Sequence, residues 1–294
     1  MRWTEGFIAV DWGTTNRRAY SLDGKGRCGD EFEDDRGILS VPEGGFGGSV
    51  AEIRARLGDR PLLLAGMIGS NRGWIDAPYV PCPAGLDDLV AGLVWPETDV
   101  AIVPGVADDG ADRSDVMRGE EVQLLGAVVA GTIPGDCLVC HPGTHNKWAE
   151  VAGGSVASFR TVMTGELFNL LKEHSILSDL LGPDVEPGKP FTAGVRRGLE
   201  GDGIQAELFP VRARVLLGKL PREDAAAFTS GLLIGGDVRI GLSARAGRKV
   251  VVMGRPELTE LYAAALAIAG CEAVELDGEQ CFLAGARHIA ERIV

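Results

Sequence analysis

The chain has 294 residues, 45% of them hydrophobic, enough to fill the core of one large domain or of two ordinary ones. Its 42 acidic against 29 basic residues give a formal net charge of −13, which argues against a nucleic-acid or anionic-membrane partner when no basic cluster stands out. A small anionic ligand is compatible with that charge if a few placed arginines or lysines meet it locally.

The first residues, "MRWTEGFIAVDWG", hold no apolar run long enough for a signal core or a membrane span, so a cytoplasmic protein is expected. "GFIAV" (6–10) reads as a buried strand and "RRAYSLDGKGR" as a second strand running into an Asp23-Gly24 turn. The loop "DWGTTN" between them makes the pair a hairpin with a polar tip. A helix follows at "SVAEIRARLG" (49–58), then strands at "PLLLAGMIGS" and "DVAIVPGV" (99–106). "MRGEEVQLLGAVVAG" (117–131) has Val122, Leu125 and Val129 on one helical stripe, acids in its first turn and Gly131 as a stop. "DCLVC" reads as a strand and "KWAEVAGG" as extended chain. "MTGELFNLLKEHSIL" (163–177) reads as a helix with Thr164 as N-cap and His174 packed at the core edge. "LGPDVEPGKP" (181–190) is a Pro/Gly-rich loop. "DAAAFTSGLLIGGDVRIGL" (224–242) is helical, with internal glycines that mark close packing on a neighbour or a ligand. A buried strand, a Gly-Arg-Pro turn and a helix closed by Gly270 fill 249–270, and a last helix ends the chain. Alternating strands and helices define an α/β protein.

"CLVCHPGTHNKWAEV" (137–151) raises a chemical question, because Cys137-x-x-Cys140-His141 is the pattern of covalent haem attachment and, with His145, offers four metal-ligand types. Residues three apart on a strand face opposite ways, which speaks against convergence of the two thiols. A second reading comes from the chain itself. "HPGTHNKW" (141–148) lies on "DWGTTNRR" (11–18) at a constant offset, matching Gly13 to Gly143, Thr14 to Thr144, Asn16 to Asn146 and Arg17 to Lys147. Both segments leave a buried strand and return as extended chain, so they read as one duplicated module. A Gly-Thr tip of this kind suits phosphate, since glycine admits close backbone approach and successive N–H groups form an anion-binding concavity.

With those two tips in view, the chain resembles the actin-like ATPase superfamily, in which two ribonuclease H-like domains flank an active-site cleft and each gives a phosphate hairpin. More narrowly it is similar to the 2-dehydro-3-deoxygalactonokinase family. "DWGTTNRRAY", "AGMIGSNRGW", "APYVPCPA", "DVMRGEEVQLLGA", "HPGTHNKWAEV", "FRTVMTGELF" and "LPREDAAAFTSGLLIG" all read like that family, in order and nearly end to end. The resemblance implies a two-domain kinase; the cleft elements set its first domain at 1–107 and its second at 108–294, with a return of the last helix to the first domain left open. The implied reaction is ATP- and Mg²⁺-dependent phosphorylation of a keto-deoxy sugar acid at its 6-hydroxyl. The gluconate-configured epimer is the alternative acceptor, and a non-catalytic actin-like nucleotide-binding protein the alternative class. No nucleic-acid or membrane partner is implied, and a homodimer is compatible with the sequence.

The resemblance also implies roles for residues. Asp11 organises Mg²⁺, while Gly13, Thr14, Thr15, Gly143 and Thr144 meet phosphate oxygens. Arg18 and Lys147 neutralise charge on the transferred group. Glu120 is the preferred general base, with Glu121 and Asp115 as the other choices, although acids in a first turn also stabilise the helix dipole without any chemistry. Ser70, Asn71, Arg72, Trp74, Arg118 and Arg160 hold the sugar acid, its carboxylate on an arginine fork; Trp74 reads equally as core. Gly231, Gly235 and Gly254 give adenine and ribose a backbone to lie against.

Overall fold

The computed structural model describes residues 3–111, 113–201, 203–243 and 249–293. The chain opens with β1 (Gly6–Trp12), β2 (Arg17–Asp23), β3 (Cys28–Asp34) and α1 (Phe46–Leu57). It continues with β4 (Leu62–Gly66), β5 (Tyr79–Pro81), α2 (Leu86–Ala91), β6 (Val94–Glu97) and β7 (Val100–Ile102). Then come β8 (Gly105–Gly110), β9 (Arg113–Met117) and α3 (Glu120–Val129). The second half has β10 (Cys137–His141), β11 (Asn146–Ala152), β12 (Ser155–Val162), α4 (Thr164–His174), α5 (Lys189–Glu200), α6 (Ile204–Leu216) and α7 (Ala225–Leu242). It closes with β13 (Val250–Gly254), α8 (Pro256–Ile268), β14 (Ala273–Asp277) and α9 (Gly278–Ala290).

Two compact units result, one of residues 1–136, 150–159 and 278–294 and one of 137–149 and 160–277. The division falls beyond the expected 107/108, for a physical reason. The β8–β9 hairpin pairs with β5 of the first unit, and α3 packs on α9, which belongs to that unit.

In the first unit the sheet order is β3-β2-β1-β4-β7-β6. β1 runs antiparallel to β2 and parallel to β4, and β4 runs parallel to β7. Near-continuous apolar runs such as "GFIAVDW" and "LLLAG" suit strands covered on both faces. Ile8, Val10, Trp12, Ile53, Leu64 and Ile102 meet in one core there, each fully buried large side chain being worth roughly 1.5–3 kcal/mol. β3, "CGDEFED", carries no apolar alternation and went unread in the sequence. It is mostly exposed, lies at the sheet edge, and its charges guard that edge against further pairing.

The five-stranded sheet has the order β12-β11-β10-β13-β14. Its core is built from Leu138, Cys140, Trp148, Val250, Val252 and Leu266 with Phe191 and Val195 of α5. The helix α7 has the length and apolar composition of a membrane span, yet it is mostly buried against α4, α5, α6 and α8. Its internal glycines serve packing. A Cβ on Gly231 would lie 2.2 Å from the Phe191 carbonyl oxygen and one on Gly235 2.3 Å from that of Val195, so α5 already occupies the face where a nucleotide was expected.

Two other expectations are corrected in this unit. Thr164 is the first residue of α4 and Met163 its N-cap; the Thr164 hydroxyl donates instead to Asp237. His174 is 71% exposed and pairs with its neighbour Glu173, because its position at the end of α4 falls past the last core-facing turn.

Candidate active site

The first half-site sits where parallel strands β1 and β4 end, the place where open α/β sheets bind ligands. Gly13 N donates to the Asn16 carbonyl at 2.9 Å and closes the hairpin tip. Three successive amides of a following segment then take up the tip's carbonyls: Ile38 N reaches Gly13 O, Leu39 N reaches Thr14 O, and Gly37 N reaches Thr15 O, at 2.8–3.2 Å. With its acceptors occupied, the tip leaves Thr14, Thr15 and Asn16 exposed. Among the described residues no hydrogen bond uses the Thr14 or Thr15 hydroxyl, which makes the tip a net donor surface.

Strand alternation sorts the two arginines that follow. Arg17 is 1% exposed and forks onto Asp34 at 2.9 and 3.1 Å beneath the rings of Trp12 and Phe32. Arg18 is directly opposite Asp11 in the β1–β2 register, shares its face, and pairs with Glu33 at 3.2 Å. Burial pushes the Asp11 carboxyl up to about 6, with the charges of Glu120 and Glu33 adding to the push and Arg18 opposing it. Asp11, Arg18 and Glu120 are therefore brought together.

Gly119 explains how Glu120 reaches that place. At φ +107 and with the position of its missing Cβ 3.2 Å from the Gly66 Cα, it allows α3 to begin hard against the end of β4. The two adjoining glutamates then part company. Glu120, half-buried, accepts the Arg118 N–H at 3.1 Å, whereas Glu121 is fully enclosed and takes the Gly119 N–H on both carboxyl oxygens. Burial first, then the Glu120 charge, pushes Glu121 up to about 8 against the Gly119 hydrogen bonds, so it is a neutral acid near pH 7. Asp115 lies on β9 opposite Asp108 and accepts the Val116 N–H.

Arg118 is 9% exposed, with its guanidinium over the Tyr79 ring at 4.3 Å and one terminal nitrogen donating to the Ala77 carbonyl at 2.7 Å. Its Nε and Nη1 are buried and have no hydrogen-bond partner among the described residues. Two unmet donors on a buried cation are costly unless an acceptor arrives. Ser70 is also buried and donates to the Met67 carbonyl at 2.7 Å, while Asn71 and Arg72 are exposed on the turn after it. Trp74 stacks on Phe46 at 6.3 Å and packs on the core, so the core reading is the better half of that alternative.

The second half-site repeats the device. Thr144 and His145 are exposed at the tip, and the Thr144 carbonyl is taken by the Glu166 N–H of α4 at 2.9 Å. His145 Nε2 is bonded to the Glu166 carboxylate. Lys147 is 5% exposed and donates to Thr161 at 2.8 Å, so its ammonium belongs to a buried strand pair and not to a solvated face. Arg160 is exposed on β12 in this unit. Gly254 ends β13 beside Pro142, the residue before Gly143. The Cys140 thiol is in the core and bonds Asn146 Oδ1. Among the described residues no group of three or more His, Cys, Asp or Glu gathers to hold a metal.

Behind the tip lies a cavity of about 280 Å³, walled by Gly143, Thr144, Gly165, Ser230, Leu258 and Tyr262 among others. These α4, α7 and α8 residues escaped the sequence reading. Asp237, which joins several of them, gives one signal: a lone acid inside the apolar helix "GLLIGGDVRIGL".

The strand order β3-β2-β1-β4-β7 is repeated as β12-β11-β10-β13-β14, and that duplication is the actin-like ATPase fold. The solved activator of 2-hydroxyisocaproyl-CoA dehydratase from Clostridium difficile, bound to ADPNP, shares the fold with a TM-score of 0.53 over 97% of this chain and 94% of that one, at 10% identity. The family model of 2-keto-3-deoxy-galactonokinase matches residues 11–289. The 2-dehydro-3-deoxygalactonokinase of Escherichia coli (strain K12) is 37% identical over 293 residues, 99% of each chain. A crystal structure from Sinorhizobium meliloti carrying the same kinase name has a TM-score of 0.92 at 34% identity, covering 98% of this chain and 99% of that one. The chain belongs to the 2-keto-3-deoxy-galactonokinase family, and its activity is that of an ATP-dependent sugar kinase.

Proposed function

We propose that the acceptor is 2-dehydro-3-deoxygalactonate, phosphorylated at its 6-hydroxyl by ATP with Mg²⁺ in the cytoplasm, and that Arg118 takes the acid's carboxylate. The observation that carries this reading is the pair of unmet donors, Nε and Nη1, on a buried guanidinium. Nε–H and Nη1–H open on opposite sides of the Nε–Cδ bond and do not fork onto one carboxylate, but a carboxylate accepting from either meets the buried cation with opposite charge, which a neutral sugar does not.

The reaction forms a bond between the substrate's O6 and the γ-phosphorus and breaks the bond from that phosphorus to the β,γ-bridging oxygen, releasing ADP. Glu120 is the base that accepts the O6 proton: it is half-buried at the start of α3, whereas Glu121 is enclosed and already protonated near neutral pH. Arg18, beside Asp11, supplies positive charge for the transferring group. The Thr14, Thr15 and Thr144 tips donate to phosphate oxygens.

Mg²⁺ fits the residues present. It is held through one or two carboxylates plus water and phosphate, and Asp11 offers a carboxylate that burial and two neighbouring acids leave short of positive charge. The ion would neutralise polyphosphate charge there.

A coupled ADP assay over keto-deoxy acids tests the reading. The galactonate-configured acid is expected to have the highest kcat/KM, and its carboxamide to be at least tenfold poorer. Equal or better turnover of the gluconate epimer moves the assignment to that acid. In Arg118→Met, KM for the acid should rise about 10–100-fold with KM for ATP unchanged, the loss of a charge-assisted hydrogen bond.

A further inference from the structure

Asp237 is 2% exposed in the middle of α7, and the two oxygens of its carboxylate gather four donors from three elements, β11, α4 and α8. Trp148 Nε1 donates to Oδ1 at 2.7 Å, while Asn146 Nδ2 donates to Oδ2 at 2.8 Å. The hydroxyls of Thr164 and Tyr262 also donate to Oδ2. All four partners are neutral, so the buried carboxyl is held by hydrogen bonds alone, an arrangement that stands only when every partner is in place.

The identity of those donors gives the arrangement its meaning. Asn146 is the first residue of β11, where the second hairpin returns, and Trp148 follows it on the same strand. Thr164 begins α4, whose next residues pin the tip: Glu166 N holds the Thr144 carbonyl, and Gly165 lies against Gly143 and Thr144. Thr164 and Tyr262 also line the 280 Å³ cavity beside that tip. One carboxylate thus fixes the root of the hairpin, the helix that clamps its tip, and two walls of the adjoining cavity.

We propose that Asp237 is a positioning residue for the nucleotide: acting through Asn146, Thr164 and Tyr262, it sets the second phosphate hairpin and the adjoining cavity in the geometry that receives ATP. The proposal rests on the reading of that cavity and tip as the nucleotide half of the kinase site. Burial raises the Asp237 carboxyl above its ordinary value and the four hydrogen bonds oppose the rise.

The test is ADP binding by calorimetry together with separate KM values for ATP and for the sugar acid. Asp237→Asn keeps the shape but turns an NH₂ toward one set of donors. Trp148→Phe removes one donor from a residue that does not line the cavity, and it remains informative if Asp237→Asn does not fold. The expected result is a rise of about tenfold in ADP Kd and ATP KM for Asp237→Asn and about threefold for Trp148→Phe, with KM for the acid within twofold of wild type. Lowered thermal stability with ATP KM unchanged, or equal rises in both KM values, overturns the proposal and leaves Asp237 as a fold-stabilising group. If wild-type protein binds no ADP, the nucleotide reading of the cavity falls, and the positioning role with it.

Discussion

The two hairpins share a scaffold and differ in charge. In each, a Gly-Thr tip follows a core strand, and the threonine carbonyl is claimed by the N–H of a later segment, Leu39 for Thr14 and Glu166 for Thr144. Yet the residue that ends the first strand's acidic face is Asp11, with Glu120 and Glu33 in its field, whereas the matched position in the second copy is His141. The second copy keeps its carboxylate inside the helix layer, as Asp237 saturated by neutral donors, and opens a cavity beside the tip. A duplicated fold has therefore been loaded asymmetrically: three acids, Asp11, Glu33 and Glu120, share one field by the first tip, whereas the second tip carries a His145–Glu166 pair and has a cavity beside it.

Each prediction presses on that asymmetry. The largest effect is expected from Glu120→Gln, which should lower kcat by about 10²–10⁴-fold with little change in either KM. Glu121→Gln, one residue on, should keep kcat within a few-fold, because the wild-type side chain is already neutral at pH 7. Steady-state rates of the two variants decide whether one glutamate carries the chemistry, and the opposite ranking would transfer the base to Glu121.

Next come the tips themselves. Thr14→Val and Thr144→Val should each raise KM for ATP about tenfold, the cost of a hydrogen bond to a charged oxygen. If only Thr144→Val did so, the first copy would be a carboxylate carrier and not a phosphate site.

The acidic limb of the kcat/KM profile should rise with pH through about 6 as Asp11 loses its proton. Arg18→Met removes the charge that opposes the upward push, so the limb should move to higher pH. A limb that stays in place dissociates it from Asp11.

A smaller effect falls on stability. Glu121 has a folded pKa raised to about 8 above an unfolded value near 4.5. The unfolded chain thus binds fewer protons between those values, and stability is lost as pH rises through that window. Thermal unfolding at pH 5 and pH 8 should show Glu121→Gln gaining on wild type at the higher pH, by a shift of a few degrees. Gly231→Ala, which places a methyl 2.2 Å from a backbone oxygen, should lower Tm by roughly 2–12 °C through overpacking.

Much of this was legible in the chain. The buried strands "GFIAV", "PLLLA" and "CLVC" announced themselves by apolar run, α3 by its stripe and acidic first turn, and the phosphate tips by their repetition at a fixed offset. The edge strand β3, the short strands β5, β6, β8 and β9, and helix α6 with its internal Pro210 carried weak or mixed periodicity, whereas α5 is strongly amphipathic and simply went unread. Among the site residues, "GEE" marked two candidate glutamates but no local rule separates adjacent acids in one helical turn. Only the packing of Gly119 on Gly66 turns Glu121 inward and leaves Glu120 half-buried beside Asp11.

The sequence by itself determined the α/β class and the duplicated hairpin, which are encoded in short-range pattern and in matches between segments of the same chain, and it pointed to the family through the resemblance of whole blocks to known kinases. The tertiary structure decided what no local pattern holds: that Gly231 and Gly235 face α5 and not a nucleotide, that Arg118 is buried with two donors unmet, and that Asp237 gathers Asn146, Trp148, Thr164 and Tyr262. Each depends on contacts between residues far apart in the chain, where burial sets the charge state of a carboxyl and close backbone approach leaves no room for a ligand.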